Sequence, residues 1–408
     1  MSMDRRVVIT GMGAITALGH DARATWEAMR EGRSAIAPLA GFDDPTLRVR
    51  VAAQVRDYDP LKHFDEKKLL LLDRVSQFAL VAAREAVAQS GLDFTADEKL
   101  RHRTACVIGT GTGGEQTNDE GSRRLYKEGN PRLHPLSIVR RMVNAPASQV
   151  SIEFGVTGPS FAVSSACASA NHALAQAFAL VRGGTSDVAL AGGTEACITL
   201  GVLRAWEAMR VLADDTCRPF CKQRRGLVLA EGAGMFVLED FDHARARGAE
   251  ILADFAGAGM SADASDIVLP SDLGAARAIS ASLADARLNA TDVDYINAHG
   301  TGTPANDPTE TRAIRKVFGV HADALSVSST KSMHGHALGA AGAIELLAAI
   351  GSLRENVIPP TANFLDPDPE CDLDYVPNTP RERAVRAVLS NAFAFGGLNA
   401  VVALKRAS

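Results

Sequence analysis

The sequence predicts an α/β fold in which helices cover buried sheets, and three observations point there. Short apolar runs alternate along the chain with longer helical patterns. The helical patterns carry end signals, a capping Asp before and glycine after. The chain, at 408 residues, exceeds one ordinary core, so two domains or one duplicated, fused pair is expected.

Taken in order, RRVVITG, TACVIGTG, FAVSSA, DVALAGG, MFVLED, VDYINAHG, LSVSST and AVLSNAFAF read as strands. Helices are expected over Asp73–Gln89, with Gly91 just beyond, and over Ala168–Arg182, ended by Gly183 and Gly184. Such a rhythm implies sheets buried between helical layers. The region around His243–Gly248 separates a first half, residues 1–248, from a second, 249–408.

Composition excludes several classes. Hydrophobic residues make up 46% and charged residues 22%, ordinary for a globular protein, and the net charge of −5 argues against general affinity for nucleic acid. A local basic patch for an acidic partner remains compatible with it. No run approaches the roughly 18 uncharged apolar residues of a membrane helix. The most apolar segment, around Ile344–Leu353, contains Glu345 and reads as a buried helix. The opening MSMDRRVVITGMGAITALG enters a strand at once, so no signal peptide is expected and the cytoplasm is the expected compartment. The six cysteines form no paired CxxC set, and Cys217 and Cys221 lack a second pair of ligands nearby, so no metal site is expected.

One glycine-rich stretch invites a nucleotide reading. Gly109-Thr-Gly111-Thr-Gly-Gly114 comes after a strand and fits GxGxxG, but the adjoining segment, EQTNDEGSRR, reads as polar and irregular rather than as the helix a dinucleotide site needs. A tight loop beside a cavity is the expectation.

Chemistry concentrates in four segments. In GPSFAVSSACASANHALAQAFALVRGG a strand ends in small residues, Cys167 sits at the turn and a helix begins. A thiol there meets free backbone N–H groups and the positive dipole end, which favour thiolate by ~0.3–1 kcal/mol, up to ~2 when partly buried. That predicts a cysteine pKa below the usual value of about 8.5. In VDYINAHGTGTPANDPTE, His299 ends an apolar strand. In LSVSSTKSMHGHALGAAGAIE the arrangement recurs with Lys331, His334 and His336, then a helix containing Glu345. Strand C-termini are where α/β proteins place catalytic groups. In SNAFAFGGLNAVVAL, Phe393 and Phe395 precede Gly396-Gly397, a strand-to-strand turn whose backbone can approach a ligand closely.

These segments, with VVITGMGAITALG, make the chain resemble the β-ketoacyl-[acyl-carrier-protein] synthases of the type II, elongating class over essentially its whole length. The resemblance implies a thiolase-like fold of two duplicated halves in five αβαβα layers, with an intimate homodimer or a heterodimer with a related subunit. It implies a triad of Cys167, His299 and His336. An acyl group on Cys167 would be joined to a malonyl unit from acyl carrier protein, whose decarboxylation develops enolate charge that two neutral imidazoles can hold. By resemblance, the backbone N–H groups of Cys167 and Phe395 hold the condensation oxyanion, and Lys331 pairs with Glu345 to orient the histidines. Thr301 and Thr303 match positions that bond the pantetheine arm, Phe395 matches a gate with Phe393 beside it, and Thr112 lies in the acyl pocket. Lys67, Lys68, Arg74 and Arg210, with Arg132 as a weaker candidate, match the carrier-protein dock. No cofactor is implied, since the phosphopantetheine arm is carried by the partner.

Within the family, AWEAMRVLADDTCRPF, RGLVLAEGAGM, SADA and CDLDYVPNTPRER resemble the nodulation protein E group, which serves specialised acyl chains. Ala394, Leu398 and Val268 depart from the commoner Gly, Thr and Thr. A degradative thiolase would need a second cysteine where the chain reads FAFGGLN, and an initiating synthase would need asparagine where His336 stands. A non-catalytic chain-length partner would lack Cys167.

Overall fold

The computed structural model describes residues 5–407. Ten strands form one ladder: β1 Val7–Thr16, β2 Thr104–Gly109, β3 Ser160–Val163, β4 Val188–Glu195, β5 Gly232–Asp240, β6 Ala253–Ala262, β7 Tyr295–Asn297, β8 Ser326–Ser328, β9 Ala387–Ala394 and β10 Leu398–Lys405. Their spatial order is β8-β7-β9-β10-β6-β1-β5-β4-β2-β3. The first five strands thus lie in the order β3-β2-β4-β5-β1, and the second five repeat it. The directions repeat too: β2 runs parallel to β3 and β4, β5 antiparallel to β4 and β1, and β7, β9 and β10 copy this. The two five-stranded sheets join only where Val7–Ile9 pair with Ala253–Phe255. The chain is a duplication.

Helices complete five layers. Helix α1, Arg74–Ser90, covers β1 and β5 from outside. Between the sheets lie α2, Ser169–Arg182, on β2 and β4, and α4, Ala341–Glu355, on β9 and β5. On the far side α3, Asp272–Ala286, covers β6 and β10. The middle helices are buried deeply; every residue from Ala341 to Leu353 is buried. They approach closely because Gly342 stands where a Cβ would lie 1.9 Å from Asn171 Oδ1.

The sequence-based helix ends hold to within a residue: Asp73 caps α1, Gly91 (φ +70°) ends it, and Gly183 comes directly after α2. Two expectations need correction. EQTNDEGSRR is not irregular but opens as a helix, Glu115–Ser122, where buried Asp73 accepts from the Thr117 N–H and hydroxyl. Strand β6 is not among the strands that the sequence pattern predicts. Its ADFAGAGMSA has too few large side chains to show a strand pattern, because Gly257 and Gly259 lie against the α3 backbone, where added Cβ atoms would come within 2.5 and 2.1 Å of it. Among the described residues no helix is long and apolar enough to cross a membrane.

Candidate active site

Cys167 sits in the turn between β3 and α2. The turn is strained, with Ala166 at φ +48°, and it brings the sulfur to the α2 N-terminus, where no side chain caps the helix. His299 comes after β7, the short helix Lys331–His334 after β8, and His336 lies two residues further on. Matching strands of the duplicated halves thus deliver the thiol and both imidazoles to one place.

The structure brings Cys167, His299 and His336 together. His336 Nε2 is 3.1 Å from Cys167 Sγ, and the donor atoms of Cys167, His299 and His336 lie within 4.8 Å of one another. The two imidazole rings meet edge to face at 5.5 Å. Lys331, fully buried, pairs with Glu345 and lies 3.5 Å from His299 Nδ1. An ammonium only donates, so Nδ1 accepts and Nε2 carries the proton. The same ammonium disfavours a dication on these three ligands.

The thiol is the main correction. Instead of a depressed pKa, burial pushes Cys167 up to about 12; the Lys331 charge and the backbone N–H groups of Phe395 and Cys167 pull the other way, while Glu195 adds to the rise. Desolvation outweighs the pull of Lys331 and of the backbone N–H groups, so the group rests as a neutral thiol within hydrogen-bond reach of the His336 imidazole. Both histidines are held well below the usual imidazole range, by burial first and then by Lys331. Burial also moves Glu345 up to about 7 against the pull of Lys331.

Cys167, His299 and His336 face a cavity of about 270 Å³, which Thr301, Thr303, Phe393, Ala394, Phe395, Val268 and Arg210 also line. The Thr301 and Thr303 hydroxyls are 2.9 Å apart on one wall. Phe393 packs against His299, and Phe395 leans on Trp206 with ring centres 5.9 Å apart. Ala394 ends β9 without positive φ, so its methyl is unstrained; the turn's left-handed conformations fall on Gly396 (φ +81°) and Gly397 (φ +68°). Leu398 is partly exposed at the start of β10.

Other expected residues, Arg210 at the cavity rim excepted, are not gathered here. Thr112 is absent from the cavity wall, its hydroxyl donating to Glu195 at 2.6 Å. Arg74, expected at a docking surface, is instead an internal strut: its guanidinium holds both oxygens of buried Glu231 and the Val55 carbonyl. Lys68 lies 3.5 Å from Glu153, whereas Lys67, Arg132 and Arg210 are exposed. The GxGxxG loop is no phosphate cradle, because Glu195 already occupies its donors. All six cysteines are free and buried.

Sequence reasoning missed Glu310. Its buried carboxylate accepts from the His299 and Gly300 N–H groups at 2.9 and 2.8 Å and so fixes the strand end that presents His299. An acidic residue one turn into the helix beyond that histidine, Asn306–Phe318, was the available signal.

A duplicated five-layer fold with a buried thiol facing two imidazoles defines the thiolase-like condensing enzymes, acyl-transferring in type. Models of the β-ketoacyl synthase N-terminal and C-terminal domains match residues 4–244 and 252–365, and the chain belongs to the β-ketoacyl synthase family. It is 52% identical to a nodulation protein E of Rhizobium sp. (strain N33), covering 99% of this chain and 100% of that one. It is 40% identical to the 3-oxoacyl-[acyl-carrier-protein] synthase 2 of Staphylococcus aureus (strain COL), covering 100% and 99%. Among solved structures, the ishigamide ketosynthase/chain length factor superposes with a TM-score of 0.94 at 35% identity, covering 99% of this chain and 100% of that one.

Proposed function

We propose that the protein carries out decarboxylative Claisen condensation of an acyl group held on Cys167 with malonyl-[acyl-carrier-protein], giving 3-oxoacyl-[acyl-carrier-protein] in fatty acid or specialised acyl chain elongation. One observation carries the reading: Sγ of Cys167 is 3.1 Å from Nε2 of His336, with His299 facing the same cavity. The sulfur attacks the acyl thioester and the carrier's thiol leaves with the proton, splitting the reaction into two easier steps. Malonyl carrier then loses CO2. The enolate oxygen is held by the imidazole N–H of His299 and by His336, and the carbanion attacks the acyl-cysteine carbonyl, whose oxygen meets the N–H groups of Cys167 and Phe395. The tetrahedral intermediate collapses to 3-oxoacyl carrier, and Cys167 departs as a thiolate that takes a proton from solvent.

In this reading Lys331 and Glu345 orient His299, Thr301 and Thr303 bond the pantetheine arm, and Phe395 gates the site with Phe393 beside it. Arg210, exposed at the cavity rim, and Lys67 receive the acidic carrier. The halves divide near residue 248, and no cofactor beyond the carrier's own arm is needed. A homodimer is supported by the unpaired outer edge of β3, where Phe161 is exposed, and by exposed Ile138, Val139 and Met142. A catalytic subunit paired with a chain length factor is the second reading, favoured by the ketosynthase/chain length factor likeness at TM-score 0.94. Cytoplasmic location suits an enzyme whose substrates ride on a carrier protein. The test offers acyl carriers of graded chain length and weighs the intact protein. An acyl adduct that disappears in Cys167→Ala is expected; an adduct elsewhere, or none at any length, sinks the reading.

A further inference from the structure

Glu195 is a fully buried carboxylate that the proposed chemistry does not use. It ends β4 beneath the site and gathers donors from two separate segments. From the loop after β2 come the Gly111 N–H at 2.7 Å, the Thr112 N–H at 3.2 Å, and the hydroxyls of Thr112 and Thr110 at 2.6 and 3.2 Å. From the turn after His336 comes the Gly339 N–H at 2.9 Å, at the helical start that leads into α4. The two segments touch through this carboxylate. A Cβ on Gly339 would lie 2.1 Å from the Gly111 nitrogen and 2.8 Å from Glu195 Oε2.

Each segment leads directly to a reacting group. The Gly111 carbonyl accepts from Ser164 in the nucleophile turn, and Leu338, two residues past His336, is held at φ +41°. Strained turns persist only where their surroundings over-determine them. Five donors on one buried acceptor supply that constraint on both sides of the Sγ–Nε2 contact.

We infer that Glu195 is a positioning residue, a clamp that ties the Cys167 turn to the His336 turn and so sets the distance between sulfur and imidazole. The inference rests on the condensing role proposed above. Its charge, which five donors on its two oxygens favour against the upward pull of burial, has a second, separable consequence: among the charged groups around the sulfur, Lys331 favours the thiolate and Glu195 opposes it, while both histidines are neutral.

Two variants of the full-length protein test this. Glu195→Gln keeps volume but turns an amide N–H toward the donors; Glu195→Asp keeps the charge but falls short of them. Both are expected to lower kcat by about 10- to 100-fold with an unchanged KM for malonyl carrier, the loss typical of a displaced reacting group. Alkylation of Cys167 by iodoacetamide then separates them: its pH profile moves to lower pH in Glu195→Gln and stays in place in Glu195→Asp. A kcat within twofold of the parent, a loss that appears only in KM, or an unmoved profile in Glu195→Gln overturns the inference. So does failure of both variants to fold, which would make the residue purely structural. A parent protein that alkylates normally yet never condenses would refute the proposed function instead.

Discussion

Lys331 Nζ lies 3.5 Å from Nδ1 of His299 while its ammonium pairs with Glu345, and neither member of that ion pair reaches solvent. A buried pair of this kind is weak evidence for stability but strong evidence for geometry, because its attraction is largely spent on desolvation. What it secures is the tautomer that turns His299 Nε2–H toward the cavity.

Lys331→Met leaves the Glu345 carboxyl without a partner and is expected to destabilise the protein by about 3–5 kcal/mol. Adding Glu345→Gln removes both charges and should restore most of the melting temperature without restoring malonyl-carrier decarboxylation. A double variant that releases CO2 at the parent rate would refute the orienting role.

Cys167→Gln removes the nucleophile but leaves both imidazoles, so it should abolish condensation and keep decarboxylation. His299→Ala removes an oxyanion donor that makes no bond to the sulfur. It should lower decarboxylation by about 10²–10³-fold while acyl transfer to Cys167, read by intact mass, survives. Continued elongation by Cys167→Gln would contradict the assignment.

Because burial and Lys331 hold both imidazoles well below the usual range, they stay neutral at ordinary pH. In decarboxylation by Cys167→Gln the titration expected between about pH 6 and pH 8 is therefore that of Glu345 at about 7, and adding Glu345→Gln should remove it. A midpoint near 6.5 that persists in the Glu345→Gln background would show that an ordinary, solvated imidazole does the work.

Stability has a titration of its own outside the site. Glu239, fully buried, accepts from His243 at 2.5 Å and raises its pKa above the usual 6.5. A group whose pKa is raised on folding contributes stability that is complete below its unfolded pKa and lost as pH rises through the folded one. The melting temperature should thus fall from pH 6 toward pH 8, and His243→Gln should flatten that slope. Parallel slopes in both proteins would exclude the pair as its source.

Much of the molecule was legible because its signals are local. Asp73 and Gly91 bracket α1 through capping and a left-handed residue, both set by the residues themselves. Cys167 at a strand-to-helix turn and His299 and His336 at strand ends could be singled out by residue type and place. Strand β6 could not, since its small residues answer to a neighbouring helix rather than to a pattern along the chain. Arg74 looked like any surface cation until Glu231, 157 residues away, proved to hold it.

By itself the sequence determined the α/β order of elements, the helix ends and the choice of Cys167, His299 and His336 as candidates, since these depend on residues close together in the chain. Only the tertiary structure decided that the thiol rests protonated, that Glu195 fills the glycine loop and that Glu310 holds the His299 backbone. Those outcomes turn on desolvation and on donors brought from distant segments, and neither is encoded in the neighbourhood of any one residue.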